Sequence, residues 1–219
     1  MLFRSGVFSV RLYDRFSPRK LGVASFILIA IGLVVVAMTV GNDWSTVAVI
    51  LGLLLVGISE GTLLTLLFNV LVSASPKRLA GDVGALRGVA NNVSNALGAA
   101  FASVVAVGLL GLFLASAYSR SELPHELETR AVSGSVDFIS NTELRSVLGT
   151  TSATPEQVDK AVAINEAARL RALRASFLIV GAISLLAVFP ASRLPSYVPG
   201  ELSAEDIINE ARPGTSEAI

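Results

Sequence analysis

Val56–Val70 reads VGISEGTLLTLLFNV, with a single charged residue, Glu60, near its middle. The apolar run continues on both sides, and from Trp44 to Pro76 Glu60 is the only Asp, Glu, Lys or Arg. A helix rises about 1.5 Å per residue, so roughly 20 apolar residues cross the hydrocarbon core of a bilayer. Leu21–Asn42, Gly88–Ser119 and Ala175–Ser192 carry no charged residue at all. A soluble domain carries about a quarter charged residues. This 219-residue chain carries 16%, with 53% hydrophobic residues and a mean hydropathy of +0.68. The pattern predicts an all-α membrane protein with four transmembrane helices, over Leu21–Val40, Val47–Val72, Gly88–Ala115 and Ala175–Ser192.

Composition also excludes much. Net charge is zero, and no basic patch interleaved with aromatics points to nucleic acid. The chain has no cysteine, which rules out thiol catalysis, disulfides and thiolate metal sites. Its one histidine, His125, sits in a polar segment and reads as a surface residue, so no metal is expected. Neither a nucleophile–base set, paired carboxylates nor a phosphate-cradling glycine loop is present, and the expectation is a protein that is not an enzyme and needs no cofactor. The N-terminus lacks the short apolar core and small-residue cleavage site of a signal peptide.

Between the spans the chain divides cleanly. Residues 1–20 form the end of a truncated helix and a charged loop, RLYDRFSPRK. Residues 21–116 hold the first three spans, with the turn GNDWS (Gly41–Ser45) placing Trp44 where amphipathic rings favour the interface. Residues 117–173 are a polar excursion. In its second half Thr154 suits a helix N-cap, Pro155 the first helical position and Glu156 the positive end of the dipole. Val158, Ala161, Val162, Ile164, Ala168 and Leu173 then give an apolar stripe expected to run without a break into span four. The apolar residues of VDFISNTELRSVLG (Val136–Gly149), among them Leu144 and Leu148, are expected to pack against something. Span four covers 174–192 and a polar tail 193–219, where Ser203 and Asp206 make a capping-box pattern. Arg11, Arg15, Arg19 and Lys20 before span one, and Lys77, Arg78 and Arg87 after span two, mark those ends as cytoplasmic. Four crossings then place 117–173 outside and the C-terminus inside a cell (inner) membrane.

Polar residues within the spans carry the functional reading. A charge at mid-span costs about 3 kcal/mol on insertion scales. Glu60 is therefore held neutral, hydrated, or partnered: either a proton- or cation-binding group or a structural carboxyl hydrogen-bonded to a neighbouring helix. Gly57 and Gly61 flank it at four-residue spacing, which permits close helix approach. In span three, Arg87, Asn91 and Asn95 recur every four residues, near one face. That face either lines an aqueous, substrate-binding cavity or bonds across to neighbouring helices. Gly84 and Gly88 read as a packing pair.

RLYDRFSPRK resembles the signature loop of the major facilitator superfamily, a Gly-x-x-x-Asp-Arg-x-Gly-basic-basic pattern. Asp14, Arg15, Arg19 and Lys20 match; Val10 and Ser17 replace the glycines, and Pro18 a basic residue. GLLLVGISEGTLLTLLFNVLVSASPKRLAGDVGALRGVANNVSNALGAA is similar to the late helices of fourteen-span drug:proton antiporters, which also place a long outer loop before the last helix. The resemblance covers nearly the whole chain. It implies four helices matching the last four of the fold, the missing N-terminal half as a partner, and export of hydrophobic or cationic small molecules coupled to protons. It also implies a C-terminal fragment, and a gating role for Asp14, Arg15 and Arg19. The alternative is a small four-span structural or assembly protein without transport activity.

Overall fold

In a computed structural model, the structure describes residues 16–41, 46–73, 75, 80–121, 140–151, 153–194 and 196. Its elements are all helices: α1 (Pro18–Thr39), α2 (Val47–Ser73), α3 (Ala80–Tyr118), α4 (Asn141–Leu148) and α5 (Pro155–Ala191). Helices α1, α2, α3 and α5 are each long and apolar enough to cross a membrane. The four spans predicted from charge-free stretches thus coincide with four helices, as in a multi-pass membrane protein. Asp14, Arg15, Trp44, Lys77, Arg78, His125, Val136–Ile139 and the Ser203–Asp206 pattern lie outside the described residues.

Length separates the helices into two kinds. The 22 and 27 residues of α1 and α2 suit one crossing, whereas the 39 of α3 and 37 of α5 rise nearly twice the roughly 30 Å a hydrocarbon core needs. Part of α3 and of α5 is therefore not spanning helix. α5 is continuous, as its stripe predicted, and its start is a reciprocal capping box. The Gln157 N–H donates to Thr154 Oγ1 (3.3 Å), and the Thr154 N–H donates to Gln157 Oε1 (2.9 Å).

The chain forms two compact units. The first contains α1 up to Gly32, α2 from Leu51, α3 up to Ala96 and α5 from Gly181. Here α1 and α2 run antiparallel: Gly32 of α1 faces Gly52 and Val56, while Leu21 packs with Leu66, Leu63 and Val70. A Cβ on Gly32 would lie 2.8 Å from the Gly52 carbonyl oxygen and 2.9 Å from Val56 Cγ2, so only glycine permits this approach. Membrane helices associate through such backbone proximity, because lipid offers no hydrophobic drive between them. α5 packs on α1, with Ala191 and, just past the helix end, Leu194 against Gly22, and Ser184 Oγ donating to the Phe26 carbonyl at 2.9 Å.

The second unit contains α1 from Leu33, α2 up to Ile50, α3 from Leu97, α4, and α5 up to Val180. Its core joins Leu110, Leu114 and Tyr118 of α3 with Leu144 and Leu148 of α4 and Val158, Ala161, Val162, Ala168 and Ala172 of α5. The Tyr118 hydroxyl donates to the Ala161 carbonyl at 3.2 Å. Ser140 caps α4, its Oγ accepting from the Glu143 N–H at 3.1 Å. Two polar links fasten α4 to α5: Arg145 pairs with Asp159, and Asn141 donates to Glu166 (3.2 Å) while accepting from Arg169. This is a three-helix cap with a water-soluble style of construction. In the same unit Arg174 donates from Nε (3.3 Å) and Nη2 (2.9 Å) to the carbonyl of Val40, satisfying an orphan acceptor at the end of α1.

Candidate functional site

Which way Glu60 points follows from how α2 chooses its packing face. Gly52, Val56, Leu63, Leu66 and Val70 form the stripe that meets α1. Ser59 belongs to this stripe and is buried, at 2% exposure. One residue on turns about 100° around the helix, and Glu60 emerges exposed. Gly57 and Gly61 lie farther round still, with nothing within 4 Å of a Cβ built on either. The close approach expected there takes place instead at Gly32 and Gly52, where both partners lie on the buried stripe.

Hydroxyl groups in α2 largely satisfy themselves. Thr62 and Thr65 donate to the carbonyls four residues earlier, of Ile58 (2.9 Å) and Gly61 (3.0 Å). Ser59 Oγ, by contrast, is buried without a hydrogen-bond partner among the described residues.

On α3 every residue from Gly84 to Ala96 is exposed. At 100° per residue, Leu86, Val89 and Val93 fall on one side and Gly84, Gly88, Asn91, Asn92 and Asn95 on the other. Gly84 and Gly88, expected to pack, have open space around them. Arg87, placed by its spacing with the asparagines, stacks instead over the ring of Phe68 on α2, 4.4 Å from its centroid. A guanidinium over an aromatic face is attracted by the ring quadrupole, all the more where water is scarce. Sequence spacing pointed Arg87 along its own helix, and nothing in that spacing signals a ring on the helix before.

The structure therefore places Glu60, Asn91 and Asn95 in one unit, all exposed, and joins none of them to another by a hydrogen bond or ion pair. No hydrogen bond or ion pair joins any of the three to a described residue. Arg19 is exposed in the first turn of α1, and Asp14 and Arg15 lie outside the described residues. Chemically, a carboxyl exchanges a proton or binds a cation, and each asparagine amide offers donors and an acceptor. These groups are turned away from the helices of this chain and are open to water, lipid or further protein. No protein-family model, characterised protein or solved structure matches the chain.

Proposed function

We propose that this chain is the C-terminal, four-helix part of a proton-coupled membrane transporter of the major facilitator kind, exporting hydrophobic or cationic small molecules. The observation that carries the reading is the exposure of Glu60, Asn91 and Asn95 on helices otherwise built for lipid. A carboxyl and a run of amides facing hydrocarbon are costly, so such groups mark solute or proton pathways. In this reading the polar side of α3 and the Glu60 side of α2 border an aqueous path completed by the other half of the transporter. Glu60 carries the proton, Asn91 and Asn95 contact the solute, and Asp14, Arg15 and Arg19 hold the cytoplasmic side closed. The three-helix cap stands outside, and the C-terminus lies in the cytoplasm of the cell that exports.

Two features support it further. The resemblance of the signature loop and of the α2–α3 sequence to drug:proton antiporters covers the same residues. The isolated charge at mid-span also recurs in pumps, where half-transporter interfaces meet at the bilayer centre. The test is accumulation of a fluorescent lipophilic cation in cells expressing the complete gene product, with and without a proton uncoupler. The expected result is uncoupler-sensitive export that Glu60→Gln abolishes at unchanged membrane abundance. Undiminished export by the variant removes Glu60 from the mechanism. Absence of any export by the parent supports the small four-span structural or assembly protein instead.

A further inference from the structure

α5 carries arginines at 169, 171 and 174, immediately before the charge-free run Ala175–Ser192. They do different work. Arg169 lies on the side of α5 that meets α4 and donates to Asn141. Arg174 is exposed and spends Nε and one Nη2 hydrogen on the Val40 carbonyl, which leaves donors pointing outward. Arg171 is exposed, with no hydrogen bond or ion pair to a described residue.

Three residues apart, Arg171 and Arg174 share a face of the helix. One turn farther along that face is Leu178, exposed at 47%. The carboxylates of this part of α5 are engaged elsewhere: Asp159 with Arg145, and Glu166 with Asn141. The face thus offers two guanidinium groups without a carboxylate partner, one helical turn before an exposed leucine, where the charge-free run of α5 begins. We propose that Arg171 and Arg174 bind the headgroup phosphate of an anionic phospholipid, whose acyl chain lies along Leu178.

The chemistry fits a lipid better than a free anion. A guanidinium fork matches two phosphate oxygens, and the apolar surface beginning one helical turn away accommodates a tail that inorganic phosphate lacks. The Arg174–Val40 bond holds one of the two forks in place before lipid arrives, which reduces the ordering needed on binding. The reading is independent of whether the chain transports anything.

Native mass spectrometry of the full chain, released from detergent with equal phosphatidylglycerol and phosphatidylcholine, tests it. The wild type retains phosphatidylglycerol in preference to phosphatidylcholine. Arg171→Gln, which leaves the Val40 contact intact, weakens that retention about five-fold, the share expected of one basic residue at a membrane surface. Arg171→Lys keeps most of it, and Arg145→Gln, in the cap, leaves it unchanged. Equal retention of the two lipids by the wild type overturns the proposal without any variant. So does an equal loss in Arg145→Gln, which would reflect overall charge, and so does displacement of phosphatidylglycerol by millimolar inorganic phosphate, which would mark a free-anion site.

Discussion

The cap and the polar stretch of α2 and α3 are built from the same kind of element to opposite ends. In the cap, α4 has an N-cap, two buried leucines and polar links to α5 near both of its ends. Its links run inside the chain, while Asn165 Oδ1 is buried there without a hydrogen-bond partner among the described residues. From Gly84 to Ala96 of α3, three asparagines and two glycines are exposed, and among the described residues the one directional side-chain contact is Arg87 over Phe68. On the proposed membrane reading the difference is one of solvent. Outside a bilayer, burial of apolar side chains drives helices together. Within one, apolar residues gain nothing by association, and only close backbone contact or polar bonding holds helices. On that reading a polar face left open is one kept for something else.

Mutations can sharpen or break this contrast. Leu148→Ala in the cap removes a fully buried side chain and should destabilise the cap by about 2–5 kcal/mol, as large-to-small core changes do. Hydrogen exchange of the α4 amides reads the effect, and unaltered protection would mean the cap core is not cohesive. Gly32→Ala should cost about 1–3 kcal/mol, because its Cβ meets the rigid Gly52 carbonyl at 2.8 Å. Gly57→Ala, with open space around it, should be neutral or slightly stabilising, since alanine is the better helix former. Thermal unfolding of the two variants in detergent checks the pair, and equal losses would place Gly57 in an interface after all.

Smaller effects follow at the helix ends. Thr154→Ala breaks the capping box of α5 and should cost about 1 kcal/mol, seen as faster exchange of the first turn while the span is unaffected. Arg145→Gln removes an ion pair whose side chains are 56% and 60% exposed, so the change should stay below about 1 kcal/mol and shrink with added salt. A larger loss would show that α4 depends on charge rather than on Leu144 and Leu148.

Much of the architecture was legible because lipid imposes a simple rule on sequence. The start of α2 was read at Val47 and the start of α5 at Pro155, both as found. α3 begins at Ala80, before the expected start, because Asp82 and Arg87 sit on an exposed helix where charge is no reason to stop, and it runs past Ala115 to Tyr118, which is buried in the cap core. The apolar stripe of α5 was read with Ile164 in it. The fold does pack Ile164, partly buried, against the cap core, and it also buries Asn165 at 1% exposure, a polar residue that apolarity does not select. Glu60, Asn91 and Asn95 were conspicuous as polar letters in apolar runs. Their lack of partners was not, because a helix wheel shows which residues share a face but not what that face meets.

Run length and charge content, properties of the chain alone, set the number and rough extent of the helices, since a backbone in hydrocarbon must bond to itself. Capping chemistry, likewise local, fixed where α5 begins. Which glycines touch, which ring Arg87 stacks over, where Arg174 donates and how α4 is fastened depend on residues 20, 19, 134 and 14–28 positions apart. Contacts across such distances are selected by three-dimensional packing, for which a one-dimensional periodicity holds no coordinate.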